Sequence, residues 1–572
     1  MEQLSKSCTG TSRRWLWLLL LAVAIIWFGN IEYRKLIKPD EGRYAEIPRE
    51  MVVSGDWVTP RLNDLKYFEK PPLQYWATAT AYELFGEHQW TSRLWVALTG
   101  FAGILLVWFA GTRLFGCAAG RYAAMLLGGS LFYALMGHIN TLDMGVTFFI
   151  TLGIVGLLLG QKEENDVRTR RNWMVLAWVA MALAVLSKGL MGLVLPGAAL
   201  FLYSILQRDI GVWKRMHWSI GLLLFMLVVS PWFYLVMKAN PEFFQKFFIY
   251  EHYTRFTTKE LGRYQPWYYF VPVLLLGMLP WTALMFDTLL RTWKDSARTD
   301  NSTRALARSG LRTLGADKAF NPERFLLIWA VFIYLFFSIS GSKLPSYLLP
   351  MFPALALLMG KQLAVMDERR LFWLVAPMLP LALLGLGLAP FTDMRADTPL
   401  QQQMYSEYAR WLITASLIWL WGVIVALLFL HHGKKPVAVL VLALSSLIAA
   451  QLGTSGYNTI AKERSAYLIA DAIRPYVKMD VPFYSIADYE QTLPFYLKRT
   501  FTLVAFQDEM AFGITQEPQR WVPDIASFIK LWQVQPAALA IMPVSIYPQL
   551  QSAGLKMKTL YQDTQYIVVS KP

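Results

Sequence analysis

The sequence predicts a polytopic α-helical membrane protein with a soluble α/β domain at its C-terminus. Three observations predict it. Of 572 residues, 55% are hydrophobic and only 16% are charged, where a soluble chain carries roughly a quarter charged residues. The apolar residues are gathered in runs about long enough to cross a bilayer. From Tyr457 onward the runs shorten to strand length and alternate with amphipathic segments.

The first apolar run, "WLWLLLLAVAIIWFGN", follows Lys6, Arg13 and Arg14. The stretch "AIIWFGNIEYRK" offers no small-residue cleavage site, so the run reads as an uncleaved span with its N-terminus in the cytoplasm. Hydropathy predicts about thirteen spans. They centre near Leu20, Leu105, Leu126, Thr151, Ala180, Ala198, Leu227, Leu276, Phe332, Leu355, Leu381, Ile418 and Leu442. With that count the basic loops "QKEENDVRTRRN", "QRDIGVWKRMHW", "KQLAVMDERR" and "HHGKKP" share one side with the N-terminus, as short cytoplasmic loops do. The net charge of +15 arises largely this way and does not signal nucleic-acid binding. Cys8 and Cys117 both fall on the cytoplasmic side, so no disulfide is expected.

The opposite, outer side then holds the loop Asn30–His88, the "HINTLD" turn, "KANPEFF", "SGSKLPS" and the C-terminal region. The expected division is a membrane part over 1–455, with surface helices in loop 30–88, and a soluble α/β domain over 456–572. Strands are expected at "VPFYSI", "FTLVAF", "ALAIMPV" and "TQYIVVS". A helix is expected in "AKERSAYLIADAIRPY", with Tyr467, Ile469, Ala470 and Ile473 toward one face.

The chemistry-bearing residues lie at the outer ends of the spans. "DEGRYAEIPREMVVSGDW" has helical spacing: Tyr44, Ile47 and Met51 recur on one face, while Arg43, Glu46 and Glu50 lie largely on another. Pro48 predicts a short or kinked helix, and the amphipathic pattern predicts one lying along the membrane surface. Asp40, after Pro39, reads from spacing as an N-cap or as a functional carboxylate. In "LKYFEKPPLQYW", Glu69 and Lys70 precede two prolines and sit on a turn. They are either an ordinary surface pair or a site in which Lys70 meets a lipid phosphate. Asp143 opens the fourth span, Lys188 closes the fifth, and Lys343 and Tyr347 lie in the turn "SGSKLPSYLLP". "EHYTRF" adds His252 and Arg255. Ionisable groups at span ends are functional candidates by default. The cations Lys70, Lys188, Arg255 and Lys343 suit phosphate. The carboxylates Asp40, Glu69 and Asp143 suit a cationic group, a metal or acid–base work. Spacing alone argues little for a metal, since no HExxH or CxxC pattern occurs.

"PDEGRYAEIPREMVVSGDWVTPRLNDLKYFEKPPLQYW" and "FSISGSKLPSYLLPMFPALALL" resemble the signature stretches of the bacterial lipid A aminoarabinose transferases, members of the protein mannosyltransferase-like GT-C glycosyltransferases. The resemblance covers the whole chain. It implies transfer of 4-amino-4-deoxy-L-arabinose from undecaprenyl phosphate to lipid A phosphates at the periplasmic face of the inner membrane. That transfer lowers lipid A charge and gives resistance to polymyxin and cationic peptides. By residue, it implies catalytic roles for Asp40 and Asp143. It implies a divalent metal, zinc, held by Glu69 with His252. Carrier-phosphate contacts fall on Lys70, Arg255 and Tyr347, and cavity positions on Arg43, Tyr67 and Lys188. The implied partners are the lipid-linked donor, lipid A and the membrane, with no nucleic acid and a monomeric enzyme. Two alternatives stand beside this reading: a sister transferase using a hexosamine or galacturonic acid, and a flippase for lipid-linked sugars. A flippase would carry internal repeats and ionisable groups at mid-membrane, whereas here the charges lie on the outer rim.

Overall fold

The computed structural model describes residues 13–162, 166–254, 265–308 and 320–572. The chain forms two compact units. One comprises Met1–Asn30, Val96–Tyr234 and Phe244–Gly456; the other comprises Ile31–Trp95, Leu235–Phe243 and Tyr457–Pro572. The first outer loop, which the sequence division placed with the membrane part, therefore shares a unit with the C-terminal domain.

The first unit is helical, and all thirteen expected span centres fall inside helices. Among the described residues, eight helices are long and apolar enough to cross a membrane, or nine if one bent pair counts as a span. The remaining centres sit on helices that are short, bent or polar. Cys117–Gly128 stops at Gly129 before a separate turn, Leu131–Met136. Met191–Gln207 has 17 residues, and Trp267–Gly277 meets Thr282–Asp295 at a bend of 113°. Asp143–Gly160 is the core of the unit, with 89% of its apolar window buried, whereas Pro399–His431 buries only 22%. The apolar surface left on the latter suits lipid rather than water. The first span is anchored by Trp27, whose indole donates to the Ala97 carbonyl at 2.9 Å. Its ring lies where a Cβ on Gly137 would come within 2.4 Å, so only glycine fits there. His138 bridges the Trp27 carbonyl and the Gln451 side chain, at 2.7 Å each. The expectation of no disulfide turns on the pair Cys8 and Cys117. Of these, Cys8 lies outside the described residues.

The second unit begins with the helix Asp40–Ser54 and a hairpin of β1 (Arg61–Leu62) and β2 (Leu65–Lys66). Its C-terminal part is a mixed sheet of β3 (Phe483–Ile486), β4 (Thr502–Val504), β5 (Trp521–Val522), β6 (Leu539–Pro543), β7 (Lys558–Gln562) and β8 (Tyr566–Ser570). The strand order is β5-β4-β3-β6-β8-β7. The strands β5, β4, β3 and β6 run parallel; β8 pairs antiparallel with both β6 and β7. The four expected strands are β3, β4, β6 and β8, whose apolar runs are buried on the sheet. The other two went unpredicted for physical reasons: β5 has two residues, and β7 is an edge strand in which Lys558, Thr559 and Gln562 leave no apolar run. Tyr484, Ile486, Phe528, Trp532, Ala540, Ile567 and Val569 form the core between the sheet and the helix Ile525–Val534. The expected helix near 461–476 breaks into Ala461–Arg464 and Tyr467–Ile473, with Ile469, Ala470 and Ile473 buried as the pattern predicts.

Candidate active site

Asp40 is the first residue of the helix Asp40–Ser54. The cap position belongs to Pro39, and no side chain caps the helix, so the N-cap reading of Asp40 fails. Its carboxylate is half-exposed, at 45%. The helix continues through Pro48 for 15 residues to a left-handed Gly55, so the proline neither shortens nor ends it. Every residue from Glu41 to Met51 is buried, including the charged face.

That face is buried because each charge has a built partner. Glu41 accepts from Arg34 at 2.6 and 2.8 Å, from Arg93 at 2.9 and 3.0 Å, and from the Ile37 amide at 3.2 Å. Burial opposes its ionisation, yet Arg34 and Arg93 outweigh burial and hold its carboxyl well below the usual range. Glu46 and Arg49 pair at 2.6 and 2.7 Å. Glu50 accepts from the amides of Asn63 and Asp64 at 2.6 and 2.7 Å. Both of those residues have positive φ, 56° and 59°, as a tight two-residue hairpin turn requires. Burial and the neighbouring Glu46 push Glu50 up to about 8.

Arg43 is the centre of the site in this unit. It is an ion-pair partner of Glu509, from the C-terminal domain. Its NH1 stands 3.8 Å from Asp40 and 3.9 Å from Glu69. Its guanidinium lies over the ring of buried Tyr67 at 5.8 Å. Burial, opposed by Arg43 and reinforced by Glu69, Asp508 and Asp40, pushes Glu509 up to about 7. Lys70 is partly buried beside Glu69 in the chain. Asp40, Arg43, Tyr67 and Glu69, predicted from the sequence, are thus brought together. Glu509 was not foreseen. It lies in a short turn, Asp508–Met510, and no spacing links it to a helix more than four hundred residues earlier.

The first unit holds a second cluster. Asp143 opens the helix Asp143–Gly160 and Lys188 closes Val167–Lys188. The two form an ion pair, and the Lys188 ammonium lies 5.0 Å from the centre of the Tyr347 ring. Each charge complements its helix dipole, a carboxylate at an N-terminus and an ammonium at a C-terminus. Lys343 is buried and donates to the Gln265 carbonyl at 2.9 Å and to that of Ser340. These contacts close its own turn, a role its sequence position did not announce. His252 lies in the helical segment Gln245–Thr254; its side chain and the whole of Arg255 lie outside the described residues. Among the described residues no group of three His, Cys, Asp or Glu side chains is arranged to hold a metal ion.

A family model described as "Aminoarabinose transferase C-terminal domain" matches residues 469–571, and one described as "Dolichyl-phosphate-mannose-protein mannosyltransferase" matches 69–235. The solved structure of ArnT from Cupriavidus metallidurans bound to undecaprenyl phosphate is 37% identical, with a TM-score of 0.89, and the alignment covers 98% of this chain and 99% of that one. A relative from Aeromonas salmonicida, named undecaprenyl phosphate-alpha-4-amino-4-deoxy-L-arabinose arabinosyl transferase, is 33% identical over 347 residues. That match spans 60% of this chain and 59% of the relative's length. A second protein of that name, from Proteus mirabilis, is 29% identical over 73% of this chain and 72% of its own.

Proposed function

The chain belongs to the aminoarabinose transferase family, with a polytopic GT-C glycosyltransferase fold, and from that premise we propose that it transfers 4-amino-4-deoxy-L-arabinose from undecaprenyl phosphate to lipid A phosphate groups. The observation that carries the reading is the alignment along nearly the whole chain with an ArnT that holds undecaprenyl phosphate. The proposed setting is the inner membrane, with the N-terminus cytoplasmic and the carboxylate-bearing outer loop and C-terminal domain in the periplasm.

The bond that forms joins an acceptor phosphate oxygen to the anomeric carbon. The bond that breaks joins that carbon to the carrier phosphate, and undecaprenyl phosphate departs with the electron pair. A phosphate monoester is largely anionic near neutral pH, its second pKa being about 6. It therefore needs little general-base help, unlike a hydroxyl nucleophile. The harder problem is to bring two anionic lipids together and to stabilise the charge on the leaving phosphate. Lys70 and Lys188, with Arg255, supply positive charge for this, and Tyr347 borders Lys188. Asp40 stands partly open to solvent without a capping duty. We assign it to the sugar, where a carboxylate stabilises positive charge developing at the anomeric carbon. Asp143, paired with Lys188, takes the companion role in its own unit.

Glu69 and His252 are the residues to which the resemblance assigns zinc. The described residues do not assemble a ligand set around Glu69, so no step is routed through a metal. Elemental analysis of purified wild type and Glu69→Gln tests the assignment: stoichiometric zinc lost in the variant supports it, and no metal in wild type removes it.

Purified protein in detergent, given the lipid-linked amino sugar and lipid A, is expected to move the sugar between them without a sealed vesicle. A requirement for a closed membrane would favour transport over transfer.

A further inference from the structure

Glu509 has no role in the proposed reaction, yet it reaches from the C-terminal domain into the carboxylate cluster of the first outer loop. The two segments fit each other closely. A Cβ on Gly42 would meet the Gln491 carbonyl oxygen at 2.4 Å, so the backbone of the C-terminal domain lies directly on the first turn of the helix that carries Asp40. Asn63 exchanges reciprocal hydrogen bonds with the Phe501 backbone, at 2.7 and 2.8 Å. The Lys38 amide donates to the Arg464 carbonyl at 2.9 Å. Within this frame Gln491 donates to Glu509, and Glu509 takes the NH2 of Arg43.

Three carboxylates compete for that one guanidinium. NH1 stands 3.8 Å from Asp40 and 3.9 Å from Glu69, within Coulombic reach but beyond hydrogen-bond distance. The arginine side chain is only 7% exposed, and its Nε has no hydrogen-bond partner among the described residues. An arginine this buried closes on the best carboxylate available to it. Were Glu509 neutral, Asp40, one turn away on the same helix, would be a near candidate, and a tight pair would neutralise the carboxylate that the reaction needs.

We infer that Glu509 is a positioning residue: it holds Arg43 back from Asp40, so that the C-terminal domain keeps the Asp40 carboxylate available to substrate. The inference rests on the proposed reaction for its assay.

The test is a double-mutant cycle on the purified full chain at about pH 8.5, where a Glu509 carboxyl pushed up to about 7 is ionised, with steady-state transfer from undecaprenyl-phosphate-linked aminoarabinose to lipid A and a thermal melt of each variant. Glu509→Gln is expected to lower kcat by about tenfold or more. Donor KM is expected to move less than about threefold, with the melting temperature kept. In an Arg43→Gln background the same change is expected to cost nothing further, because no guanidinium is left to restrain. Wild-type kcat in Glu509→Gln overturns the inference, and so does a loss that multiplies with that of Arg43→Gln. If Glu509→Gln melts early, the decision passes to Glu509→Asp, which keeps the charge. Near-wild-type kcat there supports the inference, and a loss of kcat at unchanged melting temperature overturns it. Wild-type protein that transfers no sugar would contradict the proposed reaction itself, a result distinct from all of these.

Discussion

Asp40 is the residue on which the two readings of the charged stretch divide. A cap tolerates Asn as readily as Asp, whereas a carboxylate that meets developing positive charge does not. With the cap position on Pro39, Asp40→Asn is expected to lose about 10²-fold or more in transfer with unchanged expression and melting temperature; an Asn variant of full activity would remove Asp40 from the chemistry. Its neighbour Glu41 is expected to behave in the opposite way. It compensates two buried arginines, and removing one partner of such a cluster costs about 3–5 kcal/mol. Glu41→Ala is therefore expected to lower the melting temperature or prevent folding, whichever substrate is present. A variant that melts like wild type but fails in transfer would contradict this structural role. The difference between these adjacent carboxylates was only half legible. "KPDEGRYAEIPREM" announces charge at a span end, and the resemblance singles out Asp40. Nothing in the spacing shows that Arg34 and Arg93 both reach Glu41, or that Glu509 reaches Arg43, because ion pairs between distant segments leave no local periodicity.

The helix Asp40–Ser54 shows where a pattern misleads. Its spacing reads as that of an amphipathic helix, yet its charges are buried against partners drawn from the hairpin, from Arg93 and from the C-terminal domain. Gly42 is where that helix lies directly against the Gln491 backbone. Gly42→Ala forces one backbone off another and is expected to cost about 1–3 kcal/mol. Faster proteolysis of the C-terminal domain would report it, and an unchanged proteolysis rate and melting temperature would refute it. Glu50 gives the element a pH signature. Its folded pKa, about 8, lies above the unfolded carboxyl value, so its contribution is fully present below about pH 4.5 and is lost as pH rises through 8. Over that window stability is expected to fall by up to about 1.4 kcal/mol per pH unit from this group. Melts between pH 5 and 9 should show the slope in wild type and a shallower one in Glu50→Gln, whatever that change does to the absolute melting temperature. Equal slopes would mean that Glu50 ionises normally.

At the scale of the molecule, hydropathy locates the helices. All thirteen predicted centres are helical, and among the described residues eight helices are by themselves long and apolar enough to cross a membrane, nine with the bent pair. A run of apolar residues records burial in lipid or in protein alike, and breaks such as Gly129–Ser130 or the 113° bend before Thr282 are matters of backbone geometry. The C-terminal strands were legible because buried strands are continuous apolar runs. The joining of the first outer loop with that domain was not, since both are polar on average and lie far apart in sequence. The central claim is that the whole chain moves an amino sugar onto lipid A, and the mass of lipid A tests it most directly. Expressed in a bacterial strain that lacks its own transferase but makes the lipid-linked donor, the wild-type protein is predicted to add the mass of 4-amino-4-deoxy-L-arabinose to lipid A, and Asp40→Asn to leave it unmodified. Lipid A that stays unmodified with well-expressed wild type, or that gains the mass of a different sugar, would contradict the account.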